Sequence, residues 1–164
     1  VSYDPPTIVL SSSRTVGHKS KDTLRNIEET GEFVVSIVVD PIAEAMNKTA
    51  AEFPEDVDEF EIAGLTHAPS EIVKAPGVAE SPVNMECKLE QVVEIGSGEG
   101  AHGLVIGTIL LMHVRDDVID GHRINQEKLM ATGRMAGNMY CHTGDRYEMV
   151  RPVYDPEKSL SAYR

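Results

Sequence analysis

The strongest constraint on this chain is a pair of long β-prone segments joined by a glycine-rich turn. Val83, Met85, Cys87 and Leu89 alternate with Asn84, Glu86, Lys88 and Glu90, the period-two pattern of a strand with one apolar face. The segment from Leu104 to Val114 is apolar on both faces, and Gly107 within it allows a kink or close packing. A strand covered on both sides predicts a barrel wall with a helix or a second subunit outside it. Between the two, Gly96-Ser97-Gly98-Glu99-Gly100 reads as a hairpin turn. Its spacing is not G-x-G-x-x-G, and it joins strand to strand rather than strand to helix. It is therefore not read as a dinucleotide-binding loop.

The remaining segments are shorter. Glu32 to Val39 is β-branched and aromatic and predicts a buried strand ended by Asp40-Pro41. Ile42 to Glu52 has helical spacing, with Pro54 beyond it, and the acidic stretch Glu55 to Glu61 leads into a short helix stopped by Gly64. Thr66 to Pro82 reads as a surface loop with one short strand. Asn125 to Ala131 predicts one or two helical turns, and Tyr147 to Val150 a last strand. Short strands, a few short helices and long crossovers predict a mainly β protein, a β-barrel with peripheral helices. Regular β/α alternation, the mark of a doubly wound fold, is absent.

Charge narrows the function. Lys+Arg total 15 and Asp+Glu total 27, for a formal charge of −12. No basic run suits a nucleic acid or an anionic membrane surface, so neither is expected as a partner. Cys87 and Cys141 form no C-x-x-C motif and suggest neither a disulfide framework nor a zinc site. A reduced, cytoplasmic setting follows as an expectation, and no apolar run is long enough for a membrane helix.

Against this acidic background one local cluster is basic. The apolar strand Ile8-Val9-Leu10 runs into Ser11, Ser12, Ser13 and Arg14, and a polar loop follows with His18, Lys19 and Lys21. A helix then opens, running from about Ser20 to Thr30, with Ser20 or Asp22 as N-cap and Gly31 as a left-handed stop. Leu24 and Ile27, three apart, give it an apolar stripe. Free amides and the positive end of the helix dipole favour an anion there, and Arg14, Lys19 and Lys21 add cationic donors. A negative Asp22 opposes a phosphate, so its expected role is to cap the helix or orient a lysine. An ordinary capped surface helix with solvated lysines has the same residue types.

The ordered motifs carry more. Pro5-Pro6 is followed by Lys21-Asp22-Thr23-Leu24-Arg25-Asn26-Ile27 and Gly31-Glu32-Phe33-Val34-Val35. Then come Met46-Asn47-Lys48-Thr49, Phe53-Pro54, Asp58-Glu59-Phe60, Ala63-Gly64-Leu65-Thr66, Ala75-Pro76, Glu80-Ser81-Pro82-Val83 and Glu86-Cys87. Ile106-Gly107 and Gly133-Arg134 with Tyr140 complete the set. In this order they resemble the flavin reductase-like, FMN-binding split-barrel family, over nearly the whole chain to about Pro152. The late segment Arg134-Met135-Ala136-Gly137 departs from the Gly-Gly pair common in that family.

The resemblance implies a split barrel over residues 1–151 and a C-terminal tail or dimer arm over 152–164. It implies two further strands before Val1, because family members begin with additional residues. It also implies a homodimer with FMN near the interface, and either NADH or NADPH as hydride donor with a partner oxygenase or redox protein, or a tightly held FMN in an electron carrier of the flavoredoxin kind. Ser11, Ser12 and Ser13 would offer hydroxyls and amides to the FMN phosphate and ribityl chain. Arg14, Lys19 and Lys21 would offer charge, Thr23 a donor at the helix start, and His18 and Asp22 lie in the same loop. No catalytic side chain is required and none is expected. His142, after Tyr140-Cys141, is a candidate contact to flavin or nicotinamide. The other histidines lack metal-ligand spacing, Cys87 is expected in the core, and the acidic residues 55–61 are expected on a solvated helix face.

Overall fold

A computed structural model describes residues 1–13 and 21–157, apart from the surroundings of the Tyr3 and Glu99 side chains. Its centre is the predicted hairpin. Strand β6 (Val83–Ile95) and strand β7 (His102–Val114) pair antiparallel along their whole length, with two register shifts. The turn between them closes at Gly98–Gly100. Strand β2 (Pro6–Ser13) pairs with β7, strand β3 (Glu32–Ser36) pairs with β6, and the two-residue β1 (Ser2–Tyr3) forms the far edge. The sheet order is β1-β2-β7-β6-β3, antiparallel at every pairing. The smaller pairs are β4 (His67–Ala68) with β5 (Gly77–Val78), β8 (Ile119–Asp120) with β9 (Arg123–Ile124), and β10 (Thr132–Arg134) with β11 (Tyr140–His142).

Short helices surround the sheet: α1 (Asp22–Thr30), α2 (Ala43–Lys48), α3 (Glu59–Ala63) and α4 (Gln126–Leu129). The architecture is mainly β with peripheral helices, as predicted. Gly31 and Gly64 take the left-handed conformation as helix stops, with φ of 69° and 70°. Asn125 caps α4, its side chain accepting from the amides of Glu127 and Lys128.

The core lies between the sheet and α1. Leu24, Ile27, Phe33, Val39, Ile42, Val83, Met85, Cys87, Val105 and Leu129 form one buried cluster. Two glycines of β7 make this packing possible. A Cβ on Gly103 would stand 2.7 Å from Leu24 Cδ2, and one on Gly107 would stand 2.5 Å from Phe33 Cζ. The close packing expected at Gly107 is thus found, with an aromatic ring as the neighbour.

Two expectations about the long strands exchange places. Val83 to Cys87, predicted to be half-buried, is buried on both faces. The loop from Ser70 to Val78 covers its polar side, where Asn84 and Glu86 are satisfied by hydrogen bonds. Leu104 to Val114, predicted to be covered on both faces, leaves Leu110 42% and Met112 43% exposed. Apolar composition reports what a face requires, and the covering element need not belong to the same chain.

Other boundaries also move. The strand predicted to Val39 ends at Ser36, and the helix predicted over Ile42–Glu52 is confined to Ala43–Lys48, closing at Thr49 well before Pro54. The loop at 66–82 carries two short strands rather than one. Tyr147 to Val150 is not a strand. Among the described residues the last strand is β11, which pairs with β10 alone. Among the described residues no helix is long and apolar enough to cross a membrane.

Candidate functional site

The sheet brings the serine-rich end of β2 to the start of α1. Ser12 pairs in register with Gly103, and Leu24 in the first turn of α1 packs on that same glycine. Ser11 is exposed, its hydroxyl 3.3 Å from His102 Nδ1; Ser12 is buried and Ser13 half-buried. Lys21, Asp22 and Thr23 are exposed at the helix start. Arg14, His18 and Lys19 lie outside the described residues, as does Ser20.

The helix start differs from expectation in its cap. Lys21 occupies the N-cap position, with no side-chain hydrogen bond to the first-turn amides. Asp22 is the first helical residue, and it caps nothing. Its carboxylate lies 2.9 Å from Arg25 Nη2, and Arg25 Nη1 lies 2.8 Å from Glu55. Arg25 thus draws the negative charge of Asp22 toward itself, which eases the conflict between that carboxylate and an anion at the helix start. Among the described residues no side chain caps the first-turn amides of α1, and a helix N-terminus in that condition accepts an external anion. These residues fit a phosphate.

A second feature was not singled out from the sequence as a site. A cleft of about 820 Å³ lies between α2 and the β10–β11 hairpin. The segment before α2 is tied to the start of the hairpin: Thr132 N–H donates to Val38 O, and Val39 pairs with Ala131. Asp40 stands at the base of the cleft. It accepts from Thr132 Oγ1 at 3.0 Å, and its other oxygen lies 2.9 Å from His142 Nδ1. These two hydrogen bonds, His142 first, hold the Asp40 carboxyl below the usual carboxylate range. Arg134 donates to the Tyr140 hydroxyl at 2.6 Å and to Gly137 O at 2.7 Å, with its guanidinium carbon 4.8 Å from the centre of the Tyr140 ring. Glu44, Met46, Asn47, Lys48, Asn138 and Cys141 also line the cleft.

None of Ser11, Ser12, Ser13, Lys21, Asp22 or Thr23 lines this cleft, so those residues and His142 occupy two separate places. Of the cleft residues, His142 was a sequence candidate, and Arg134, Tyr140 and the Met46–Thr49 run belonged to the ordered motifs. Asp40 had no signal of its own beyond ending a strand. A smaller apolar pocket of about 210 Å³ adjoins, sharing Met46 with the cleft and bordered by Ser36, Phe60 and Glu59. Burial pushes the Glu59 carboxyl up, and the negative charges of Asp22 and Asp58 push it further. Among the described residues no group of three or more metal-ligating side chains is assembled.

Comparison with known proteins adds the context. Residues 1–138 match the model of the flavin reductase like domain. Three solved structures share the fold at appreciable identity. Nitrilotriacetate monooxygenase component B from Bacillus cereus is 38% identical, with a TM-score of 0.85 over 91% of this chain and 74% of that one. The 2-nitrobenzoate 2-nitroreductase of Pseudomonas fluorescens is 31% identical, with a TM-score of 0.82 over 97% and 76%. The flavoredoxin of Desulfovibrio vulgaris (Miyazaki F) is 26% identical, with a TM-score of 0.75 over 96% and 79%.

Proposed function

The chain belongs to the flavin reductase-like family, with the split-barrel fold of that family, and from this premise we propose that it is an FMN-binding oxidoreductase that reduces its flavin with NADH or NADPH. The observation that carries the ligand is the start of α1, where the N-cap residue Lys21 makes no side-chain capping bond, beside the end of β2. Ser11, Ser12, Ser13, Lys21 and Thr23 supply hydroxyls, amides and one positive charge around it, and Arg14, His18 and Lys19 lie between them in the sequence. Together they suit the terminal phosphate of FMN.

Flavin, when bound, supplies the two-electron chemistry, and the protein's part is placement and electrostatics. Lys21 and the α1 amides would neutralise the phosphate, while Arg25 pairs with Asp22 and offsets its charge. No side-chain nucleophile is needed. A homodimer with the flavin near the interface completes the reading, and the exposed Leu110 and Met112 on β7 support it, since a second copy would remove them from water. A partner oxygenase or other redox protein would receive the electrons.

Titration of the full-length protein with FMN, followed by anaerobic mixing with NADH and NADPH, tests this. Flavin uptake and bleaching of the flavin absorbance by either nucleotide are expected. A folded protein that takes up no FMN overturns the reading. The likeness to a flavoredoxin favours one alternative: an FMN electron carrier, which would take up FMN and stay oxidised with both nucleotides until a protein donor is added.

A further inference from the structure

The loop from Ser70 to Val78, which roofs β6, has no role in the reading above. We propose that it is a strap whose hold on the sheet follows the charge of His113: it tightens when the imidazole is protonated and slackens when the imidazole is neutral. This does not depend on the flavoprotein reading.

The strap is tied differently along its length. At its far end Val78 N–H donates to Asn84 Oδ1 at 3.0 Å, and Asn84 Nδ2 donates back to Val78 O at 3.1 Å. Those partners carry no charge. Its middle is held by carboxylates. Glu86 on β6 accepts from the amides of Glu71, Ile72 and Val73, and Glu32 on β3 accepts from that of Lys74 at 2.9 Å.

The hydrogen bonds of Glu86 fix the state of the imidazole. Glu86 is wholly buried and its carboxyl is brought down to about 2, so near neutral pH it is ionised and can only accept. Its Oε1 lies 2.5 Å from His113 Nε2. That nitrogen therefore carries a hydrogen whether the ring is neutral or charged. A neutral ring then leaves Nδ1 bare. Nδ1 faces Glu71 Oε1 at 3.8 Å, and a bare nitrogen opposite a carboxylate sets one acceptor against another. A second proton turns that repulsion into attraction and places a cation between two carboxylates.

The two carboxylates contribute unequally. Glu71 is 73% exposed, so water weakens its share. Glu86 has no exposed surface, and its pull on the imidazolium is far less screened. Both act at full strength only while the strap is closed, because Glu71 rides on the strap and Glu86 is kept from water by it. The protonated ring therefore favours the closed strap, and that contribution is lost as pH rises through the histidine range. The ring is 35% exposed, so protons reach it with the strap in place. The charged groups facing it are Glu86 from β6 and Glu71 from the strap. Asn84, its partner in register on β6, is uncharged, and Arg115, just past the end of β7, is paired with Asp117.

The test is amide hydrogen exchange of the full chain at pH 6, 7 and 8, each rate divided by its intrinsic rate at that pH. Protection of the amides of Glu71, Ile72 and Val73 should fall about threefold or more from pH 6 to pH 8, while that of Val78, tied to Asn84, should change less. His113→Gln keeps an N–H donor for Glu86 and cannot titrate, so the fall should vanish. In the exposed Glu71→Gln it should shrink. Nitrogen NMR of the ring at pH 8 should show the hydrogen on Nε2. If His113→Gln does not fold, Glu71→Gln and the ring nitrogens decide. Protection of residues 71–73 that does not change with pH in wild type, an equal fall in the variants, or a hydrogen on Nδ1 in the neutral ring overturns the proposal.

Discussion

Oε1 of Glu86 lies 2.5 Å from Nε2 of His113, and the Glu86 side chain is wholly buried. The same carboxylate accepts from the backbone amides of Glu71 at 2.8 Å, Ile72 at 2.7 Å and Val73 at 3.0 Å. A single side chain on β6 therefore fastens the loop that covers it. Burial by itself would push this carboxyl up. The amide of Glu71, His113 and the amides of Val73 and Ile72 outweigh that and bring it down to about 2.

Glu86→Ala should destabilise the protein by about 3 kcal/mol or more, because three backbone amides lose their acceptor together and one of them, that of Val73, is buried. Glu86→Gln should cost less, since its carbonyl oxygen still accepts. The pH sign follows from the lowered value. The contribution is fully present above the unfolded pKa of about 4.3 and is lost as pH falls toward the folded value of about 2. Urea midpoints from pH 7 to pH 2 should drop steeply below pH 4 for wild type, and less so for Glu86→Gln.

The two cysteines should differ in reactivity. Cys87 is buried with its thiol pushed up to about 11 by burial, while Cys141 is exposed. A thiolate-selective reagent at pH 8 should titrate one thiol quickly in the folded protein and two after denaturation. Fast reaction of both in the native state would show that β6 is not covered as described.

Much of the fold was legible in advance because its signals are local. Alternation at Val83–Glu90, the turn at Gly96–Gly100, and Gly31 and Gly64 as helix stops all follow from near-neighbour sterics and periodicity. What covers each strand was not legible. The amides that satisfy Glu86 come from residues 71–73, a loop whose own composition carries no sign of the strand beneath it. Asp40 and His142 meet across a separation of 102 residues. The α1 start was read correctly as a helix, but the role of Asp22 depended on Arg25 and Glu55 lying on one side of it.

Gly107→Ala should destabilise the protein by about 1–3 kcal/mol through overpacking, because the added methyl would meet the ring of Phe33 at 2.5 Å. Combining it with Phe33→Leu should recover part of the loss, since the two positions share one space. Thermal unfolding of the single and double variants measures the coupling, and strictly additive losses would show that the ring is not the obstacle.

The double substitution Lys21→Ala with Thr23→Ala should weaken FMN binding while leaving the circular dichroism spectrum unchanged, because both side chains are exposed and neither packs in the core. Each lost hydrogen bond to phosphate should cost about 1.5–3 kcal/mol where the partner is charged. Unaltered FMN affinity would place the phosphate elsewhere.

Val83 to Cys87 is roofed on one side by residues 70–78, floored on the other by the core, and flanked in the sheet by β3 and β7. This stretch should be the last to exchange hydrogen for deuterium, at rates set by global unfolding. The outer side of β7 near Leu110 and Met112 has no such roof within one copy of the chain, so protection there should depend on whether a second copy covers it.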